Sequence, residues 1–382
     1  MRWAVSIGAA LLLGTTCVGA QTSDATLRIV TWNTTWLAHP DFPPVDDAAQ
    51  VANAIRTLRA IPADVFILQE IASPQAFQAL VEGLGSGYSG ILARTGDELR
   101  MGLIYRTESS RVDWVSEEPL WEQAFDFADR PPLFVRLRFA SSEETLLLIL
   151  VHLKAYADEQ SFERRLRAVE ALKATLDAER PGHAVVAGDF NDGIARSIAP
   201  GRDSPLRSFR LDSLRYVIPT ARLESAGENT FCASATCAQG GTFDHFILTA
   251  SLNAWQPQVR RVDGVLDLLP GFVASTSDHL PVLLTLRPPV EVGVRLTGGV
   301  VLESVYPNPF SDGFTVRYSI EEPAVTFELV DVLGRVQFSV VGREFGSEAT
   351  MRLETGRIPA GVYVLRARTA SSAATVRVVR VP

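Results

Sequence analysis

Apolar and polar positions alternate along the chain in two rhythms. Short runs of apolar and β-branched residues, closed by a polar residue, fall at 27–33, 64–71, 101–106, 133–139, 146–153, 185–191, 242–248 and 277–284. These predict strands. Between them, residues 48–60 (Val51, Ile55, Leu58), 75–84 and 159–178 carry apolar residues at helical spacing. In the last of these Leu166, Val169, Leu172 and Leu176 share one face. The alternation predicts an α/β domain in layers, with sheets in the middle and helices outside. Beyond residue 286 the rhythm changes. Runs at 314–320, 326–332, 349–353, 362–368 and 374–381, with a turn at Leu333-Gly334-Arg335, predict a small all-β sandwich. The break between the two textures, at Arg287-Pro288-Pro289-Val290 and Gly298-Gly299, reads as a linker.

The first residues form a third pattern. Met1-Arg2-Trp3 is followed by an apolar run at 4–13 and by Val18-Gly19-Ala20, the charged start, apolar core and small-residue site of a secretory signal removed after Ala20. The run is too short for a bilayer, which needs about 20 residues, and Thr15-Thr16 is bulky for lipidation at Cys17. No other run is long enough to cross a membrane. The expected division is therefore a signal at 1–20, a large domain at 21–290, a linker at 291–300 and a β-sandwich at 301–382, and the chain is expected to be a monomer.

Composition and charge narrow the function classes. The net charge of −8 argues against broad electrostatic adhesion to nucleic acid. It leaves a phosphate substrate open, since a metal ion can supply local positive charge. Cys232 and Cys237 remain after signal removal, with four residues between them in a Ser/Thr/Ala/Gly-rich loop. In an exported protein such a pair is expected to close the loop as a disulfide. Two thiols without nearby partners make a poor zinc set.

The polar residues that close the strands are the candidate chemistry. They are Asn33, Glu70, His152, Asp189, Asn191, Asp244, Asp278 and His279, all acids, amides and imidazoles. In Val185-Val186-Ala187-Gly188-Asp189-Phe190-Asn191-Asp192 a buried run meets a glycine, and Asp189 and Asn191 then point to one side.

Six stretches taken in order are similar to the endonuclease/exonuclease/phosphatase superfamily, with its deoxyribonuclease I-like fold. They are Thr31-Trp32-Asn33, Leu68-Gln69-Glu70, Val151-His152-Leu153-Lys154, Gly188-Asp189-Phe190-Asn191, Phe243-Asp244-His245 and Ser277-Asp278-His279. The resemblance implies a four-layer α/β sandwich and Mg²⁺-dependent cleavage of phosphate esters, with Mn²⁺ or Ca²⁺ as alternatives. Magnesium prefers hard oxygen ligands, with one or two carboxylates from the protein. Glu70 fits that role, and Asn33 and Asp278 complete or support the site. By resemblance His279 is the catalytic histidine, a base if it is neutral, and Asp244 holds and polarises it. Asp189 positions or activates the water, and Asn191 binds a phosphate oxygen. His152 matches a second histidine, a candidate acid at the leaving group, with Asp97 and Glu98 as candidate partners. Arg130 resembles an arginine that contacts the scissile phosphate.

Export and an acidic chain favour extracellular DNA or RNA as substrate. A sphingomyelinase-like or small phosphate-ester activity stays open, as does an inactive, surface-binding protein. Trp114 and Trp121 flank Glu117-Glu118, a stretch expected to repel an anionic surface. In the tail, Tyr306-Pro307-Asn308-Pro309, Asp331-Val332-Leu333-Gly334-Arg335 and Ile358-Pro359-Ala360-Gly361-Val362-Tyr363 resemble the C-terminal sorting domain of the type IX secretion system. That resemblance implies a secreted or cell-surface protein with the secretion machinery as partner.

Overall fold

The computed structural model describes residues 26–95, 98–139, 145–288, 300–320, 322–331, 333–342, 346–356 and 358–381. The expected signal at 1–20, the linker apart from Val300, and Asp97 lie outside them. In chain order the large domain runs β1 (Leu27–Leu37), α1 (Asp47–Ala60), β2 (Val65–Ile71), α2 (Pro74–Leu84), β3 (Tyr88–Leu92), β4 (Arg100–Arg106), β5 (Ser110–Ser116), β6 (Leu133–Phe139), β7 (Thr145–His152), α3 (Glu159–Glu179) and β8 (Ala184–Asp189). It continues α4 (Arg207–Leu211), β9 (Tyr216–Val217), α5 (Ala221–Ser225), β10 (Phe231–Cys232), β11 (Gly240–Gly241), β12 (Asp244–Thr249), β13 (Gln258–Arg261), α6 (Gly264–Leu268), α7 (Phe272–Ser275) and β14 (Val282–Leu286).

Two six-stranded sheets form the centre, in the orders β13-β14-β1-β2-β4-β3 and β5-β6-β7-β8-β12-β9. Their facing sides share one apolar core, with Ile29, Ile67 and Leu284 from the first and Leu148, Val185 and Phe246 from the second. The outer face of the first sheet is covered by Leu58 of α1 and by Phe77 and Leu80 of α2. The outer face of the second is covered by Val169, Leu172 and Leu176 of α3. This is the expected four-layer sandwich. It explains why the central strands read as continuous apolar runs, since both of their faces are buried. Side chains set the helix starts: Asp46 accepts from Ala49 N, Ser73 from Ala76 N and Asp158 from Ser161 N.

Two differences from the sequence pattern bear on the site. On α3, Leu166 is only half-buried, and the stripe instead includes Arg165, which is fully buried. The strand expected at 277–284 begins only at Val282. Pro281 lacks the N–H that a ladder position uses, and its carbonyl accepts from Val262 N.

The tail contains β15 (Val300–Tyr306), β16 (Gly313–Ile320), β17 (Val325–Asp331), β18 (Val336–Gly342), β19 (Gly346–Glu354), β20 (Gly361–Arg368) and β21 (Ala373–Arg380). They form a three-stranded sheet, β15-β16-β19, and a four-stranded sheet, β18-β17-β20-β21. Phe314, Tyr318, Phe327, Leu329 and Leu365 fill the space between them. The turn at 333–335 is made as expected: Gly334 adopts φ 81°, and the Asp331 carboxylate accepts from Leu333 N and Arg335 N. Among the described residues no helix is long and apolar enough to cross a membrane.

Candidate active site

The second sheet builds half of the site through its register. Parallel β7 and β8 set His152 opposite Asp189, and antiparallel β12 sets Asp244 opposite the same residue. Asp189 therefore stands between the two. The glycine before it is obligatory: Gly188 has φ 151°, and a Cβ there would lie 1.9 Å from the carbonyl oxygen of Val151.

The first sheet supplies Asn33 from β1 and Glu70 from β2. Glu70 has a left-handed backbone, φ 59°, as do Thr35 and Trp36 at 49° and 47°. Such conformations cost non-glycine residues of order 1–3 kcal/mol and persist where the surroundings impose them. Here Glu70 is held by a hydrogen bond from Trp36 N to its Oε2 at 2.9 Å. Asn33 joins the sheets, since its Nδ2 donates to Glu70 Oε1 and to Asp189 Oδ2, both at 2.9 Å. Its Oδ1 accepts from Thr35 N. The amide nitrogen, not the oxygen, thus faces the carboxylates.

Asp278 and His279 come from the loop before β14, braced by two hydroxyls. Ser277 Oγ donates to Asn33 O at 2.6 Å and accepts from His279 N at 3.0 Å. Thr35 Oγ1 donates to Asp278 Oδ1 at 2.5 Å. Neither hydroxyl is among the residues expected from the sequence to do chemistry. The only sequence signal was the small polar residue directly before Asp278. The short β10–β11 hairpin, closed by the Cys232–Cys237 disulfide, shoulders the same loop. Cys232 N donates to Asp278 O at 2.7 Å, and the Phe231 ring lies 5.2 Å from that of His279.

At the centre, His279 Nδ1 is 2.8 Å from Asp244 Oδ2, and its Nε2 is 3.8 Å from Asp189 Oδ2. His152 Nε2 lies 3.6 Å from Glu70 Oε1 and 3.7 Å from Asp189 Oδ2. Asn191 N donates to Asp189 Oδ1 at 2.8 Å. The Asn191 amide nitrogen donates to Asp189 Oδ2 and Leu153 O. Both amide hydrogens are committed, so the expected phosphate contact requires one of these bonds to be released. Arg130 also donates to Leu153 O, at 3.3 Å, and its Nε is buried without a partner.

Burial and neighbouring charge set the two histidines apart. Burial opposes the charged form of His279, yet Asp244 and Asp189 outweigh it and hold the ring well above the ordinary imidazole value. Burial, followed by the charges of Arg130, His279 and Lys154, drives His152 well below that value. Asp189, cut off from water, is pushed up to about 7.

Glu70, His152 and Asp189 each place one donor atom within 4.8 Å of the others. Asp278 stands apart from this group, with its side chain 39% exposed and 4.0 Å from His279 Nε2. Two converging carboxylates and an imidazole kept unprotonated fit a divalent cation, the carboxylate oxygens offering hard donors and the imidazole a softer one. Of the surface features expected nearby, Glu117 is buried and accepts from Arg94 N and Thr95 N, so it adds little to an acidic surface. Trp114 and Trp121 are exposed.

Residues 304–381 match the secretion system C-terminal sorting domain. No match is found among curated protein sequences. Among solved structures, TDP2 of D. rerio in complex with a single-strand DNA product is 16% identical, covering 69% of this chain and 99% of that one, with a TM-score of 0.49. An endonuclease/exonuclease/phosphatase family protein of Bacteroides thetaiotaomicron is 14% identical over 68% and 97%, with a TM-score of 0.49. The human Nocturnin catalytic domain with bound sulfate is 17% identical over 68% and 94%, with a TM-score of 0.47. Residues 30–279, more than half of the chain, match the Endonuclease/Exonuclease/phosphatase family, and the chain belongs to it.

Proposed function

We propose that the large domain is a divalent-metal-dependent phosphodiesterase that hydrolyses DNA or RNA outside the cell, exported with the help of its sorting domain through type IX secretion. One observation supports this above others: Asp189 lies between His152 and His279, with Glu70 facing it across the Asn33 amide. Glu70, with His152, would hold the metal beside Asp189, and when bound it supplies a Lewis acid at the phosphoryl oxygens.

The chain's own groups do the rest. Asp189, fixed by Asn191 N at one oxygen, takes the proton of the attacking water. His279 is held charged by Asp244, as a carboxylate holds an imidazole in other hydrolases. It compensates the charge that grows on the phosphoryl group and gives its proton to the leaving oxygen. His152, neutral, is a ligand in this scheme rather than the leaving-group acid. This scheme gives the leaving-group proton to His279 rather than to His152, the candidate acid expected from sequence. Arg130 adds positive charge beside the scissile group.

Residues 21–290 should cleave bis-(p-nitrophenyl) phosphate and nucleic acid with Mg²⁺ or Mn²⁺, and EDTA should abolish both activities. His279→Ala should lose at least a hundredfold in kcat. Glu70→Ala should lose the thermal stabilisation that metal confers. A fully active His279→Ala would refute the mechanism. Turnover of a lipid or small ester with every nucleic acid left intact would refute the substrate.

A further inference from the structure

The loop between β7 and α3 presents two side chains that the scheme above leaves unused. Tyr156 is 68% exposed, and its backbone is left-handed at φ 82°. An exposed tyrosine gains nothing from burial to offset that strain, so a neighbour must impose it. The neighbour is Arg165, which is fully buried. Its Nη1 donates to the carbonyl oxygens of Lys154 at 2.9 Å and Tyr156 at 2.7 Å. Its Nε is paired with buried Asp192 at 2.8 Å. Asp192 in turn accepts from Gly193 N and Ile198 N, in the loop that follows Asp189 and Asn191. One buried ion pair therefore fixes the Lys154–Tyr156 backbone against the loop that follows the catalytic carboxylate.

The outward side chains are a cation and a ring. Lys154 Nζ lies 4.7 Å from the centroid of Tyr156. Lys154 is only partly buried, and the charges that act on it most are two further cations, Arg164 and Arg130, with Asp158 opposing them. Positive charge is thus concentrated beside Leu153, whose carbonyl is bound by both Asn191 and Arg130. Tyr156 is three residues further on, at most about 10 Å along the chain.

We infer that Lys154 and Tyr156 form a subsite for the nucleotide adjacent to the scissile phosphate. The ring stacks on that nucleotide's base and the ammonium meets its phosphate. Stacking on a base face needs an unpaired base, so the subsite selects single-stranded over duplex nucleic acid. The inference rests on the nuclease reading and narrows it.

The test compares kcat/KM for a fluorescent single-stranded oligonucleotide with that for bis-(p-nitrophenyl) phosphate, in the full chain with Mn²⁺. Tyr156→Ala should lower the ratio of the two about tenfold, as expected for loss of one base–aromatic stack. Tyr156→Phe should keep the ratio within twofold of wild type. Lys154→Gln should flatten the log–log salt dependence of oligonucleotide cleavage by about 0.7. An unchanged ratio in Tyr156→Ala, a Tyr156→Phe as impaired as Tyr156→Ala, an unchanged salt slope in Lys154→Gln, or wild-type cleavage of duplex as fast as of single strand would overturn the inference while leaving the nuclease reading intact. A wild-type enzyme that hydrolyses the small diester and no nucleic acid would overturn both.

Discussion

His245 follows Asp244 in sequence and faces away from it in the strand, as alternate residues do. Its Nε2 lies 2.9 Å from Asp192 O, and its Nδ1 is buried without a partner. Nε2 therefore carries the proton, and charging the ring would bury an unsatisfied N–H. Burial accordingly lowers this histidine to about 4. In the unfolded chain it titrates near 6.5. Since the folded value is the lower one, the contribution of His245 to stability is complete above pH 6.5 and is lost as pH falls towards 4. By linkage the loss is of order 2 kcal/mol at pH 5. Urea midpoints at pH 7.5 and pH 5 should separate more for wild type than for His245→Gln, and equal separations would count against the assignment. Asp189, Asn191, Glu70 and His279 stand out in the sequence because acids, amides and imidazoles seldom close an apolar run, and the structure brings them together. Which nitrogen of Asn191 or Asn33 faces which oxygen was not legible, because that depends on partners from distant strands.

At the scale of elements, the apolar period located α3 but not what α3 does. Arg165 is scored as polar by any hydrophobic pattern, yet it occupies the buried stripe and organises the loops at the ends of β7 and β8. Arg165→Met should leave Asp192 as a buried, unpaired charge and cost about 3–5 kcal/mol in a urea titration. A loss below 1 kcal/mol would show that the pair does not hold those loops. Strands absent from the sequence reading have a common physical cause. In β5 only Ser110 is buried, β3 is half-buried to exposed, and β18 is exposed along most of its length. Edge strands like these carry no sustained apolar signal. The loop holding Asp278 and His279 was read as strand because Leu280 and Val282 continue its apolar run across Pro281.

At the scale of the whole molecule, the layered architecture was legible from the alternation of periods, since a central strand buried on both faces and a one-sided helix leave different traces. The strand order of the first sheet was not, because β14 and β1, at opposite ends of the domain's sequence, lie side by side only once folded. That closure brings His279 to Trp32, whose Nε1 donates to the His279 carbonyl.

The Cys232–Cys237 hairpin lies against this closure and touches His279 through Phe231. Thiols stay reduced in the cytosol and pair after export, so the brace beside the histidine is absent where the chain is made and present where it is delivered. The bond is thus a feature of the delivered chain, and it closes the hairpin that carries Phe231 against the His279 loop only after export. Reduction by dithiothreitol, or Cys232→Ser with Cys237→Ser, should cost about 2 kcal/mol of stability for a loop this short and lower kcat several-fold. Unchanged kcat after verified reduction would show that the hairpin does not position His279.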